Sequence, residues 1–107
     1  MSTLELPTKP TVSDFQKYVR ALVEERGFSD ETLPELFMLF LEESGELARS
    51  ARTSTAMKSH EGKELSDAQH EAADVFIYLL DICNHLGIDL EQAFRDKEEM
   101  NKKREWK

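Results

Sequence analysis

Two pairs of acidic residues have the spacing expected of metal ligands. Glu43 and Glu46 are three residues apart, and Glu71 and Asp74 repeat that spacing later in the chain. Residues i and i+3 of a helix lie on one face about one turn apart, so each pair can direct two carboxylates to the same point. Two such helices packed antiparallel would gather four carboxylates. A cluster of that kind is stable only if it is protonated, solvated or neutralised by a cation.

The sequence around these pairs is unusually apolar. The first pair directly follows the apolar run 36–41, and the second pair opens the apolar run 72–83. The chain nevertheless contains 22 acidic residues, so pairs with this spacing also arise by chance. Spacing and setting alone therefore leave two alternatives open, a metal site and a solvated or salt-bridged helix face.

The candidate ligands are all carboxylates, which favours a hard cation. A few carboxylates combined with waters and substrate phosphates suit Mg²⁺, and Mn²⁺ can take its place. A di-iron carboxylate bundle is the nearest alternative, but it needs a Glu-x-x-His pair on two of its helices. The corresponding i+3 positions are occupied here by Glu46 and Asp74. The sequence thus favours magnesium over iron.

Near the C-terminus, Lys97, Asn101 and Arg104 follow one another at i, i+4 and i+7. On a helix these three residues form one line, which we call the basic stripe, and it offers two cations and an amide to a phosphate group. Basic residues are also favoured at a helix C-terminus for electrostatic reasons alone. The basic stripe therefore supports a phosphate-binding site only in combination with the carboxylates.

Composition limits the classes of partner. The chain has 107 residues and a formal net charge of −8, which makes a nucleic-acid polymer an unfavourable ligand. The lone Cys83 provides no disulfide framework and fits a reducing compartment. No secretory leader and no apolar run of bilayer length is present in the sequence. We expect a cytoplasmic protein that does not bind membranes.

Helical periodicity dominates the sequence after an irregular arm, residues 1–11. We expect a first helix capped by Ser13 or Asp14 and ended by Gly27. A second helix has Pro34 in its first turn and runs to a loop over 50–63.

The third helix is predicted to be capped by Ser66 or Asp67, with a helix that already includes residues 63–65 as the alternative, and to be ended by Gly87. The fourth is capped by Asp89 and reaches Trp106. Helices two and three are apolar on most sides, more than a small monomer can bury. We therefore predict an all-α four-helix bundle, one domain over residues 12–107, completed by homo-oligomerisation.

Taken in order, these motifs make the chain resemble the MazG-like all-α nucleoside triphosphate pyrophosphohydrolases, specifically their short single-domain branch. The resemblance covers roughly residues 12–106 and rests on an EExxE motif, an ExxD motif and the basic stripe: Glu42, Glu43 and Glu46, then Glu71 and Asp74, then Lys97, Asn101 and Arg104. It implies a Mg²⁺-dependent homodimer or homotetramer that splits a nucleoside triphosphate into the monophosphate and pyrophosphate. The physiological role expected from the resemblance is house-cleaning of the nucleotide pool.

The resemblance also implies roles for individual residues. Glu43, Glu46, Glu71 and Asp74 would be the metal ligands, and Glu42 would orient water or act as a base. The residues of the basic stripe would bind the phosphate chain of the substrate.

Two alternatives stay open. Related folds hydrolyse phosphoribosyl-ATP, although the N-terminal helix and arm of this chain are longer than that enzyme requires. A non-catalytic helical module is the other alternative, in which the carboxylates form an acidic docking face for a basic partner.

Overall fold

A computed structural model describes residues 4–54 and 65–104 of the chain. They form four helices, which are α1 (Val12–Glu25), α2 (Leu33–Ser54), α3 (Leu65–Leu86) and α4 (Leu90–Lys102). No strand occurs within these two ranges. The predicted all-α class is confirmed. None of the helices in the described ranges has the length and apolar character that a membrane-spanning segment requires.

The α2 and α3 helices pack against each other most extensively, and α3 also packs against α1. A small core forms where α1 meets α3, with Val19, Leu22 and Val23 packed around Leu80. On α2 the side chain of Leu36 is fully buried. The hairpin of α2 and α3 is therefore the element that fixes the relative positions of the two acidic pairs.

The first helix begins with a capping box. Thr11 Oγ1 accepts a hydrogen bond from Asp14 N at 3.1 Å, and Asp14 Oδ2 accepts one from Thr11 N at 2.9 Å. The prediction that Ser13 or Asp14 is the N-cap was wrong, because Asp14 occupies the reciprocal third position of the box. Two otherwise unpaired backbone donors are satisfied in this way.

The helix ends on both sides of the hairpin also differ from expectation. Residues 50–54 continue α2 instead of starting a loop, because Arg49, Ala51 and Arg52 favour helix and Ser50 is buried. The expected loop from residue 55 onward lies outside the described residues. The α3 helix already includes Leu65, so the expected caps Ser66 and Asp67 stand inside it.

Glycine ends α1 and α3 as predicted. Gly27 and Gly87 have φ angles of 78° and 68°, in the left-handed region that glycine adopts most readily. After each glycine the chain folds back, and the amides of Phe28 and Ile88 donate to Val23 O and Cys83 O, each at 2.9 Å. These bonds satisfy carbonyls at the helix ends.

The start of α4 is held by Gln16 of α1. Its Nε2 donates to Asn84 Oδ1 at 3.0 Å and to Ile88 O at 2.7 Å, while its Oε1 accepts from Leu90 N at 2.9 Å. Asn84 Nδ2 donates in return to Gln16 O at 3.1 Å. One side chain therefore connects α1, the end of α3 and the start of α4.

The predicted N-cap of α4 is confirmed, since Asp89 Oδ1 accepts from Gln92 N at 3.1 Å. The helix ends at Lys102 and not at Trp106. Lys103 closes it with a hydrogen bond from its amide to Met100 O at 3.2 Å. Beyond the exposed Met100, the described residues are the half-buried Asn101 and three exposed basic residues, so little burial favours a longer helix. Trp106 itself lies outside the described residues.

Candidate metal centre

Three of the four predicted metal ligands meet between α2 and α3. Glu43 from α2 and Glu71 and Asp74 from α3 each offer one carboxylate oxygen, and these oxygens all lie within 4.8 Å of one another. We call these three residues the carboxylate cluster. Glu43 and Glu71 are half-buried and Asp74 is exposed, so the cluster opens to solvent on one side.

The hairpin explains this convergence. Leu36 is fully buried and lies two turns before Glu43, so both side chains project from the same face of α2. On α3 the i, i+3 spacing keeps Glu71 and Asp74 on one face. Burial of the apolar residues around the hairpin therefore brings together Glu43, Glu71 and Asp74, three of the four carboxylates that the spacing predicted to meet.

The surroundings of Glu43 disfavour the ionised form of its carboxyl group. Its pKa is raised, first because partial burial removes solvation from the charged form, and then because its side chain shares a hydrogen bond with Glu71. The negative charges of Asp74, Glu71 and Glu42 raise it further. In the described part of the chain, no basic residue contributes to this shift. The cluster is thus an uncompensated negative site that a cation would stabilise.

Glu42 lies beside the carboxylate cluster and not within it. Its side chain is exposed, yet its charge is close enough to raise the pKa of Glu43. This position at the solvent edge is compatible with the supporting role that the sequence assigned to Glu42.

Glu46 is the predicted ligand that does not join the three. It is half-buried on α2, one turn beyond Glu43, and the group of converging oxygens does not include it. Its part as a fourth ligand stays a prediction.

Tyr78 is a neighbour that the sequence analysis missed. Burial raises the pKa of the Tyr78 phenol, and the charges of Glu31, Glu43, Asp74 and Glu42 raise it further. Its position four residues after Asp74 places it on the same helix face, which is the feature that could have identified it. Tyr78 offers a hydroxyl group beside the carboxylates.

The basic stripe belongs to a different part of the molecule. Lys97, Asn101 and Arg104 follow the part of α4 that is anchored to α1, and α4 packs mainly on α1. The structure of the single chain does not bring these residues into the carboxylate cluster. Their role towards phosphate stays a prediction.

The donor set of the cluster fits a hard divalent cation. Three carboxylates supply oxygen donors from two rigid helices, and Mg²⁺ prefers a few carboxylates with waters and phosphate oxygens in the remaining positions. The open side that Asp74 faces leaves room for those further ligands. No histidine or cysteine is part of the cluster, so softer metals gain no preferred ligand.

Comparison with known proteins gives no relative: no family model matches the chain, and no curated protein is significantly similar to it.

Proposed function

We propose that the protein is a Mg²⁺-dependent nucleotide pyrophosphohydrolase that converts a (deoxy)nucleoside triphosphate and water into the monophosphate and pyrophosphate. The observation that carries this proposal is the convergence of Glu43, Glu71 and Asp74 from two helices, with the pKa of Glu43 raised. Among the described residues no cationic group contributes to the raised pKa of Glu43, and a bound cation would stabilise carboxylates held this close together. The substrate class is the one that the resemblance of the ordered motifs to the MazG-like enzymes implies.

The chemistry follows from the positions of the residues. Glu43, Glu71 and Asp74 would hold the Mg²⁺, which would supply Lewis-acid activation of the α-phosphate and of the attacking water. Glu42, at the exposed edge, accepts a proton from the attacking water. The new bond forms between that water oxygen and the α-phosphorus, while the bond to the pyrophosphate oxygen breaks. Glu46 lies one turn along α2, where it can hold a second ion or a metal-bound water.

Homo-oligomerisation is part of this proposal. Met38 and Leu41 on α2 are 72% and 66% exposed, and Phe37 beside them is 43% exposed. An exposed apolar face of this kind is typical of a subunit contact. It adjoins the carboxylates in sequence, so a second copy would also shield the site from water. The basic stripe then acts on the phosphate chain within the assembled oligomer.

A screen for pyrophosphate release tests the activity and the substrate together. The purified protein is incubated with Mg²⁺ and a panel of canonical and modified nucleoside triphosphates, with phosphoribosyl-ATP included for the related reaction. We expect at least one triphosphate to yield pyrophosphate and the monophosphate in equal amounts. Release of inorganic phosphate alone, or no turnover of any compound, would contradict the proposal.

Two isosteric variants assign the activity to the carboxylate cluster. Glu71→Gln and Asp74→Asn should each lower turnover by about a hundredfold or more, because each removes a charged ligand while preserving shape. Glu24→Gln, at an exposed carboxylate on α1, is the matched control and should retain full activity. Near-normal turnover by either cluster variant would exclude this site.

The second candidate function is a non-catalytic interaction module. The observation that favours it is the exposure of Glu42 and Asp74 beside one another on the hairpin, which gives an acidic surface for a basic partner. Such a surface does not require a divalent ion. An unchanged melting temperature in millimolar Mg²⁺, with and without nucleotide, would therefore favour this alternative.

A further inference from the structure

A second surface of the molecule is open and apolar, well away from the carboxylate cluster. It is a groove of about 610 Å³ bounded by α4, by α3 and by the start of α1. Its apolar lining comes from three helices, and we call it the apolar groove: Val12, Phe76, Leu79, Leu90 and Phe94. Phe94 is 69% exposed although it borders the groove. An aromatic side chain left open beside other apolar groups indicates a contact surface.

Charged residues border the apolar groove in an ordered pattern along α4. A fifth charged residue of α4, Glu99, also lines the groove and pairs with Lys102. The other four alternate in sign from negative to positive, namely Glu91, Arg95, Glu98 and Lys102. The intervals between them are four, three and four residues, which keep all of them on one face of the helix. We call these four residues the charge stripe.

The charge stripe is electrostatically complementary to a second copy of itself that runs in the opposite direction. Read from the opposite end, the intervals are again four, three and four, but every position carries the opposite sign. Two copies of α4 placed antiparallel about a twofold axis would therefore match at all four positions. Glu91 would face Lys102 of the second copy, and Arg95 would face Glu98 of the second copy. An isologous contact requires this kind of self-complementarity.

We infer that a second copy of this chain packs its α4 antiparallel against α4 and covers the apolar groove. The axis passes near the middle of the charge stripe, close to Phe94, so the two Phe94 rings cover the apolar lining of both grooves. Opposite charges on either side then fix the register, as they do at the flanks of paired helices.

The charges of the stripe are available for this contact. Arg95 and Glu98 form no ion pair within the described ranges of the chain. Lys102 pairs with Glu99 at 3.3 Å, but both side chains are more than half exposed, so this ion pair is weak. Lys102 can therefore leave Glu99 and pair with Glu91 of the second copy. Glu91 Oε1 accepts a hydrogen bond from Ser13 N at 3.3 Å, which holds its carboxylate at the rim of the groove and leaves its charge in place.

This contact is separate from the carboxylate cluster, although it borders the basic stripe. Lys97 and Asn101 stand three and seven residues after Phe94, so they lie on the side of α4 that carries this ring. The carboxylate cluster is on the other side of α3, facing α2. The inference concerns the self-association that the proposed function also includes, so the Mg²⁺ dependence of the melting temperature, and not the oligomeric state alone, separates it from the proposed metal chemistry.

Charge reversal and charge exchange test the inference in the full chain. Sedimentation is measured over a range of protein concentrations at low ionic strength. Arg95→Glu would place two negative charges opposite one another, and Glu98→Arg would place two positive charges opposite one another. Because the twofold axis doubles each change, we expect either variant to weaken self-association by at least about tenfold. The double variant R95E/E98R restores opposite signs and should restore association.

A matched control and a direct measurement accompany this series. Glu24→Arg reverses an exposed charge on α1 outside the apolar groove, and it should leave association unchanged. Circular dichroism checks that helix content is equal in all variants. Carbodiimide treatment of the wild-type protein should join Glu91 to Lys102. On one helix these residues are about 16 Å apart, so a zero-length link between them arises only between two copies.

Three results would overturn the inference. They are a wild-type protein that stays monomeric at high micromolar concentration, single variants that associate like the wild type, and a double variant that does not regain association. Any of them would mean that the apolar groove receives a different partner or none. The dependence of the melting temperature on Mg²⁺ should be the same in all α4 variants, so failure here is distinguishable from failure of the proposed metal site.

Discussion

Asp81 is a buried acidic residue that the carboxylate cluster does not use. It lies in α3 with only 6% of its surface exposed, and its Oδ1 is 3.6 Å from His85 Nε2. Burial raises the pKa of Asp81, while the His85 charge opposes that shift when the imidazole is protonated. The dominance of burial means that the ionised form is less favourable in the folded protein than in the unfolded chain.

This imbalance makes the stability of the protein depend on pH in a definite direction. A carboxyl group whose pKa is raised on folding favours the folded state below its ordinary value of 3.8, and that contribution is lost as the pH rises through the raised pKa. Asp81→Asn cannot ionise. We therefore expect it to melt higher than the wild type at pH 7, by about 2–5 °C. Thermal denaturation followed by circular dichroism measures the difference.

The same comparison at lower pH provides the internal check for Asp81. The advantage of Asp81→Asn should shrink as the pH falls towards 4, because the wild-type carboxyl group then becomes neutral as well. Glu24→Gln neutralises an exposed carboxylate and should change the melting temperature little at either pH. A lower melting temperature for Asp81→Asn at pH 7 would show that the ionised carboxylate is favourable in the fold.

At the scale of single residues, spacing predicted part of the candidate site. The i, i+3 rule and the adjacent apolar runs were sufficient to bring Glu71 and Asp74 to one face and Glu43 opposite them. Spacing could not show that Glu46 lies outside the converging group, since that depends on the rotation of α2 against α3. Tyr78 was missed because it stands in an apolar run, where its ring is expected to be core.

At the scale of elements, Gln16 determines how α4 leaves the rest of the fold. Its amide group makes three hydrogen bonds with Asn84, Ile88 and Leu90. Asn84 Oδ1 also accepts from Arg20 Nη2 at 3.2 Å, so the end of α3 is tied to two residues of α1. The direction of α4, which carries both the basic stripe and the charge stripe, depends on this network.

Removal of the Gln16 side chain should therefore loosen α4 before the rest of the protein. Gln16→Ala leaves the partly buried Leu90 amide and the exposed Ile88 carbonyl without their partner, which should cost about 1–2 kcal/mol. Hydrogen exchange should accelerate at the amides of α4 more than at those of the α2–α3 hairpin. Gln92→Ala is the control, because Gln92 makes an exposed bond to Asp96 within α4. Uniform acceleration in all helices would contradict this role.

The helices themselves were predictable because their apolar residues recur with helical periodicity and glycine follows α1 and α3. Their first residues were less predictable. Thr11 and Ser13 are equally good caps by residue type, and the choice depends on which one Asp14 can bond in return. The extension of α2 over residues 50–54 was missed because serine and threonine suggest a loop, whereas Ser50 is buried in the fold.

At the scale of the whole molecule, the carboxylate cluster links metal binding to folding. Its ligands come from α2 and α3, the two helices with the most extensive packing, and these residues are brought together only when the hairpin is folded. A cation that binds the cluster therefore favours the folded state over the unfolded chain. It also relieves the repulsion that raises the pKa of Glu43 in a protein whose formal net charge is already −8.

We accordingly predict that Mg²⁺ raises the melting temperature of the protein and that EDTA reverses the effect. Above the dissociation constant, each tenfold increase in Mg²⁺ adds about 1.4 kcal/mol by mass action, equivalent to several degrees. Mn²⁺ should act similarly.

Sodium chloride at matched ionic strength separates site binding from general screening of negative charge. Glu43→Gln should lose most of the Mg²⁺ effect, and Glu46→Gln should lose less, because Glu46 lies outside the converging oxygens. An equal rise with sodium, or a full rise in Glu43→Gln, would show that the carboxylates do not form one metal site.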